Sequence, residues 1–191
     1  MFNSQRILIV VACTAAVFAV PSVHAAATCK TFNAPTTPAA DFIEHGNGTV
    51  THKSTGLIWK SCPEGLSGPQ CGEGKALSAD WQTALSAPAA TQGFAGFSDW
   101  RLPNIKELQS IVEISCSAPS VNETIFPKTP ADWFWSSTSL AVAATDAWGV
   151  NFGTGYVFPK TKQAPYGFVR LVRGGSGSSD FDLTSGAKSG K

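Results

Sequence analysis

Four cysteines, Cys29, Cys62, Cys71 and Cys116, constrain this sequence more than any other feature. A fifth, Cys13, lies in an apolar N-terminal segment that we expect to be removed. An even number of cysteines in an exported chain indicates disulfides, and four cysteines allow three connectivities. Cys62 and Cys71 bracket a Pro- and Gly-rich stretch that shows no periodicity and needs a cross-link to hold its shape. We therefore predict the pairs Cys62–Cys71 and Cys29–Cys116.

The first 25 residues have the features of a secretory signal peptide. Arg6 supplies the positive charge, residues 7–20 are apolar, and small residues at Val23 and Ala25 form a cleavage site. The apolar run is shorter than the roughly 20 residues that a transmembrane helix needs. A lipoprotein signal ending at Cys13 is the alternative, but it leaves the apolar residues beyond that cysteine unexplained. We expect the mature protein to be secreted, periplasmic or at the cell surface, with no transmembrane segment.

The composition excludes two further classes of protein. The 191 residues include 14 Lys and Arg against 13 Asp and Glu, and 43% of the chain is hydrophobic. Nucleic-acid binding needs concentrated basic residues, so we expect no nucleic-acid partner. Disordered chains combine low hydrophobicity with high net charge, so most of this chain should fold, and its length fits one domain with a core.

Turn residues and apolar spacing divide the rest of the chain. We expect an N-terminal arm over 26–45, a folded domain over 46–174, and a flexible Gly- and Ser-rich tail over 175–191. Turn residues before 49 and at 53–56 predict a β-hairpin over 49–60. Four more short strands are predicted, at 134–137, 148–152, 156–158 and 168–173.

Two helices are predicted between the hairpin and the last strands. Ser78 is positioned to cap the first, and Pro88 should lie at or near its end. Asn104 is a good N-cap for the second, and Glu107 stands three residues later, where it completes a capping box. Apolar residues then continue at helical spacing, which predicts that the second helix runs to about Ile114.

The sequence contains no recognisable catalytic or metal-binding motif. It has no G-x-S-x-G, H-E-x-x-H, Walker loop or EF-hand string, and cysteines in disulfides cannot act as nucleophiles. Zinc is disfavoured because no C-x₂-C pair occurs and because His45 and His52 are distant from the cysteines. Both histidines are predicted to be solvated loop residues. We predict no enzyme activity, no metal and no cofactor. An enzyme would need a free thiol or acids that converge in space.

Aromatic residues supply the first candidate binding site. All six tryptophans lie between Trp59 and Trp148, and most should be core. Trp133, Phe134 and Trp135 are consecutive, and neighbouring side chains of a strand point to opposite faces. We therefore place Trp133 and Trp135 among the candidate ligand-binding residues, where an exposed ring would stack on a sugar.

Basic residues near the C-terminus supply the second candidate site. Lys160, Lys162, Arg170 and Arg173 are predicted to form a small cationic patch for a polyanion. The alternative is a solvated sheet edge whose lysines prevent aggregation. Residues 99–101, Asp-Trp-Arg, are predicted to form an internal ion pair.

Five short motifs occur in one order: GTVT at 48–51, TGLIW at 55–59, DWRLPN at 99–104 with Glu107 and Leu108, FWSS at 134–137 and VRLVRG at 169–174. This series resembles the Lcl C-terminal domain family, a bacterial domain of unknown function, over about 46–174. The resemblance implies an α+β, C-type-lectin-like fold, in which two helices pack on a small twisted antiparallel sheet with long loops and disulfides. It also implies distant similarity to formylglycine-generating-enzyme domains, whose catalytic cysteine pair has no counterpart here.

In the collagen-like adhesin that gives the family its name, the domain is associated with attachment to host glycosaminoglycans and with aggregation. We therefore expect a secreted, non-enzymatic recognition or adhesion module that binds a glycan, another polyanion or another surface polymer. The alternative is a structural or assembly component of an extracellular appendage or envelope complex, which would self-associate or contact an appendage protein.

Overall fold

The computed structural model describes residues 26–174. The predicted signal peptide and the predicted Gly- and Ser-rich tail lie outside the described residues. The described part is α+β, with two helices, α1 (Trp81–Ala90) and α2 (Ile105–Gln109). Its strands are β1 (Thr28–Cys29), β2 (Phe42–Glu44), β3 (Thr49–His52), β4 (Ile58–Lys60), β5 (Leu66–Ser67), β6 (Glu73–Gly74), β7 (Ser78–Ala79), β8 (Cys116–Ser117), β9 (Trp133–Ser139), β10 (Asp146–Asn151), β11 (Tyr156–Thr161), β12 (Gly167–Phe168) and β13 (Val172–Arg173).

These strands form two larger sheets and two small ones. The larger sheets have the orders β11-β10-β9-β12-β7 and β13-β4-β3-β2, and the small sheets pair β1 with β8 and β5 with β6. All pairings are antiparallel except that of β12 with β9, which is parallel. The predicted arm over 26–45 supplies β1 and β2, so it is integrated into the sheets. None of the helices between residues 26 and 174 combines the length and hydrophobicity needed to cross a membrane.

The predicted hairpin over 49–60 is confirmed as β3 and β4. Val50 lies opposite Trp59, and both side chains are buried in the core. The predicted strand over 168–173 is wrong as a single element, because its two ends belong to different sheets. The residues between β12 and β13 are fully buried and carry the chain from one sheet to the other.

The first helix begins later than predicted. Its N-cap is Asp80, whose carboxylate accepts a hydrogen bond from the Thr83 N–H at 2.8 Å, whereas Ser78 lies in β7. Pro88 lies inside the last turn of α1. The capping box of α2 is confirmed, with Asn104 and Glu107 each accepting the other's backbone N–H.

The second helix ends at Gln109, not at Ile114 as predicted. The apolar residues that suggested its continuation, Ile111 and Val112, are buried in the core from a non-helical turn. Glu113 follows them and faces the N-terminal segment, where the backbone and hydroxyl groups of Thr36 and Thr37 donate to its carboxylate. Tertiary contacts therefore end the helix before its apolar pattern does.

The five-stranded sheet separates two buried clusters of hydrophobic side chains. Phe134 points into one cluster, with Trp59 and Phe126, whereas Trp133 and Trp135 point into the other. The central strand β9 is thus covered on both faces, although strand alternation is preserved. This position explains why three consecutive aromatic residues are all fully buried.

Both predicted disulfides are confirmed. The Cys62–Cys71 bond closes a short loop, and the Cys29–Cys116 bond joins residues 87 apart in the sequence. Cys29 and Cys116 lie directly opposite each other in the β1–β8 pair. The second bond therefore holds the N-terminal segment against the chain that follows α2.

Candidate ligand-binding surfaces

The structure places both candidate tryptophans inside the protein. The Trp135 indole donates its N–H to the Ala79 carbonyl at 2.9 Å, and the Trp133 ring packs edge-on against Trp135, with ring centroids 5.8 Å apart. Neither side chain has solvent-exposed surface. The prediction of a sugar-stacking ring at these positions is wrong, because β9 is a central strand whose two faces are both covered.

Arg170 is also fully buried, so it cannot contribute to a surface patch. Its guanidinium donates to the carbonyls of Lys60 and Ser61 and to the Thr129 hydroxyl, the last at 2.6 Å. Burial lowers the pKa of Arg170 to about 9, and the negative charge of Glu64 opposes this effect. The side chain is an internal link between β4 and the residues beyond β12.

Arg173 lies in β13 of the four-stranded sheet, and its guanidinium is paired with a carboxylate. Its Nε donates to Asp99 Oδ1 at 2.7 Å, which lowers the pKa of that carboxyl, and its guanidinium lies 3.7 Å from the Phe97 ring centroid. Arg101 instead makes two hydrogen bonds to the Glu107 carboxylate, at 2.6 and 2.7 Å. The prediction of an ion pair within residues 99–101 is therefore wrong, because each charge pairs with a partner outside that tripeptide.

Of the four predicted cations, only Lys160 and Lys162 share a sheet edge. Lys160 Nζ lies 4.4 Å from the ring centroid of Tyr166 and 5.3 Å from that of Trp133. Lys162 Nζ lies 4.3 Å from the Trp81 ring centroid and donates to a backbone carbonyl at 2.7 Å. Each ammonium is thus held over an aromatic ring. The four-residue cationic patch is not assembled.

Exposed aromatic side chains share the β11 surface with Lys160, and sequence reasoning missed them. Tyr156 is 70% exposed, Phe158 37% and Tyr166 54%. The Phe158 ring lies against the buried Trp133 ring, with centroids 4.4 Å apart. Tyr156, Phe158 and Lys160 alternate along β11, so they share one face of the strand. We call Tyr156, Phe158, Lys160 and Tyr166 the aromatic strip.

Two features of the surrounding sheet determine what the aromatic strip can contact. Gly149 lies opposite Phe158, and a side chain there would collide with the Trp133 indole, so glycine leaves room for that indole to reach the Phe158 ring. Strand β11 is the terminal strand of its sheet, and Pro159 in its middle has no N–H to donate. Proline on an edge strand disfavours the addition of another strand. The strip is therefore suited to contacts through side chains.

A cleft of about 600 Å³ opens beside the four-stranded sheet. Its walls are the β2–β3 turn, the loop closed by the Cys62–Cys71 disulfide, and residues 124–127. Lys60 and Phe94 contribute to it, and they also border a neighbouring cleft of about 410 Å³ together with Glu64. Lys60 and Glu64 are both buried and lie 2.5 Å apart, Nζ to Oε1.

The two histidines of the described residues differ in their surroundings. His45 is exposed, as predicted, whereas His52 is buried at the end of β3, so its prediction as a solvated residue is wrong. The His52 ring stacks on Phe42, with centroids 4.7 Å apart, and its nitrogens contact the hydroxyls of Ser54 and Thr55. Burial lowers the pKa of His52, and the Asp41 charge opposes this effect. These contacts give His52 a structural role.

The described residues hold no metal-ligating cluster, and the chain matches a known protein family. Within residues 26–174, no group of three or more His, Cys, Asp or Glu side chains is arranged to hold a metal ion. A search of curated proteins finds no match to the chain. The profile of the Lcl C-terminal domain matches residues 48–173, which is more than half of the chain. The chain therefore belongs to the Lcl C-terminal domain family.

Proposed function

We propose that this protein is an exported, non-enzymatic recognition or adhesion module, which binds a glycan or another surface polymer through the aromatic strip. The observation that carries the proposal is that Tyr156 and Phe158 are exposed on the terminal strand β11, which also carries Lys160, and that the exposed Tyr166 ring contacts the Lys160 ammonium. Exposed aromatic clusters on a soluble domain mark contact sites. A surface glycan is the polymer whose chemistry this combination fits best.

The chemistry of the aromatic strip suits a saccharide. Aromatic faces pack against the apolar C–H faces of a pyranose ring, and the phenol groups of Tyr156 and Tyr166 can donate to or accept from sugar hydroxyls. The Lys160 ammonium supplies charged donors for a hydroxyl, carboxylate or sulfate. Lys162, on the same edge, would extend the contact to an anionic polymer.

Two further parts of the proposal concern fold and location. The two helices, the antiparallel sheets and the two disulfides support a C-type-lectin-like fold. The disulfides also support export, because such bonds persist in oxidising compartments. All four cysteines in the described residues are oxidised, which supports a binding role over thiol-based catalysis.

The alternative function, an assembly component of an appendage or envelope complex, would use the same exposed rings for protein contacts. Pro159 argues against assembly by addition of a strand to β11. Assembly through side chains predicts self-association that depends on concentration and is lost when Tyr156 and Tyr166 are replaced. Sedimentation velocity over a range of concentrations separates the two functions, since a glycan-binding module should remain monomeric without ligand.

A glycan array probed with the mature protein tests the proposal. The variant Tyr156→Ala/Tyr166→Ala should lose at least tenfold in binding to the glycans that the parent protein retains. Ile114→Ser is the matched control, because Ile114 is 75% exposed but lies outside β11. Equal retention by the parent and the double variant, or no retained glycan on the array, would refute the proposal.

A further inference from the structure

We propose that the 600 Å³ cleft above Lys60 is a second binding site, which takes a small carboxylate with an apolar body. Two sources share this chemistry, the C-terminal end of a peptide and a free organic acid. The cleft uses none of the residues of the aromatic strip, so this inference goes beyond the proposed function and is independent of it.

Lys60 lines the cleft and belongs to a buried charged pair, whose carboxylate, Glu64, lines the neighbouring 410 Å³ cleft. Lys60 Nζ lies 2.5 Å from Glu64 Oε1, and the Thr91 hydroxyl donates to Glu64 Oε2 at 3.0 Å. The Phe94 ring centroid lies 4.4 Å from the same ammonium. Buried charges are costly unless they are paired, so the net charge around Lys60 determines which sign of charge a ligand in the cleft should carry.

The buried charges around Lys60 do not balance. Arg170 lies behind it, hydrogen-bonded to the backbone at Lys60 and Ser61, and Glu64 is the carboxylate whose charge acts on both cations. Two buried cations and one buried carboxylate leave one positive charge beside the cleft. Glu44 also lines the cleft, but it is exposed on β2, where water and salt screen its charge. An anionic group near Lys60 would therefore be favoured.

The walls of the cleft select the rest of the ligand. Leu66, Pro69, Ile125 and Pro127 line it together with the Phe94 ring. Its volume lies within the range of ligand pockets for small molecules. The Cys62–Cys71 disulfide holds one wall in place, which reduces the entropy lost on binding. Apolar walls beside Lys60 match a carboxylate attached to an aliphatic or aromatic body.

Matched pairs of probes test this site by NMR titration of the ¹⁵N-labelled mature protein. The first pair is phenylacetate and phenylacetamide, and the second is N-acetyl-Ala-Phe with a free or an amidated C-terminus. At least one of the acids should shift the amides of residues 46–49, 60–71 and 124–127, and its amide should bind at least tenfold more weakly. The acid that binds more tightly identifies the source of the ligand.

Variants locate the site. Lys60→Met should weaken binding of the acid at least tenfold, and Lys106→Met, at an exposed lysine on α2, should leave it unchanged. Because Lys60→Met leaves Glu64 without its lysine, Ser67→Trp provides a second test, which fills the cleft from an exposed wall residue and should also abolish binding. Equal binding of acid and amide, no shifts with either acid, or shifts confined to the aromatic strip would overturn the proposal. None of these outcomes would refute glycan binding by the strip.

Discussion

Arg170 holds the junction between the two large sheets together from inside the protein. It is fully buried, and its hydrogen bonds reach residues 41 and about 110 positions earlier in the chain. Removing it would leave two carbonyls and the Thr129 hydroxyl without their donor. Loss of one partner from such a buried network costs about 3–5 kcal/mol.

We expect Arg170→Met to lower the free energy of unfolding by about that amount in urea denaturation. Arg173→Ala is the control, since the Asp99 partner of Arg173 is largely exposed, and an exposed ion pair contributes about 1 kcal/mol or less. Similar losses in the two variants would contradict the structural role of Arg170.

Glu113 contributes to the free energy of unfolding, and this contribution is lost at acid pH. Burial would raise the pKa of its carboxyl, but hydrogen bonds from Thr36, Ser115 and Thr37 outweigh burial and lower the pKa to about 2. The unfolded value is 4.5, so this contribution is complete above pH 4.5 and is lost as the pH falls to about 2. A lowering of this size contributes about 3 kcal/mol.

The variant Glu113→Gln should therefore be less stable at pH 7, and its stability should fall less steeply between pH 4.5 and 2. His52 adds a separate loss that begins at higher pH, because its lowered pKa makes protonation destabilising below its unfolded value of 6.5. That loss occurs in both proteins and cancels in the comparison. Parallel pH profiles below pH 4.5 would mean that Glu113 does not hold the N-terminal segment.

Among the elements, the two disulfides close loops of very different length. Their sequence separations are 87 and 9 residues, and in the chain-entropy model the longer loop contributes about 4.5 kcal/mol and the shorter about 2.7 kcal/mol. We expect Cys29→Ser/Cys116→Ser to lower the free energy of unfolding more than Cys62→Ser/Cys71→Ser does. Guanidinium denaturation of the two double variants measures both losses. The reverse order would contradict this account of the N-terminal segment.

Elements stabilised by neighbouring residues could be predicted from the sequence. The capping box of α2 needs only Asn104 and Glu107, and the β3–β4 hairpin needs only its turn residues and its apolar pattern. The end of α2 could not be predicted, because the position of Glu113 depends on hydrogen bonds from Thr36 and Thr37, which are more than 70 residues away in the sequence. For α2, local pattern therefore identifies where the helix begins but not where it ends.

The candidate site was predicted less well than the fold, because the site depends on the order of the strands in the sheet. The alternation of Tyr156, Phe158 and Lys160 is visible in the sequence, but it does not show that β11 is the terminal strand and β9 the central one. That order buries Trp133 and exposes Tyr156. Tyr166 joins the same surface from beyond the end of β11 through its contact with Lys160, which no local spacing indicates.

At the scale of the whole molecule, the two large sheets present separate surfaces. The aromatic strip belongs to the five-stranded sheet, and the cleft above Lys60 borders the four-stranded sheet. Strand β2, which precedes the family domain, and β13, the last strand, lie in the same four-stranded sheet, so the family domain and the preceding segment form one folded unit. Binding of a polymer to the strip should therefore leave the fold unchanged.

The most direct test is an NMR titration of the ¹⁵N-labelled mature protein with the saccharide that the glycan array identifies. We predict that the largest amide shifts fall on residues 156–161 and 164–167, and that Tyr156→Ala/Tyr166→Ala abolishes them while the rest of the spectrum is retained. Saturable shifts that cluster elsewhere and leave β11 unchanged would contradict recognition through the aromatic strip.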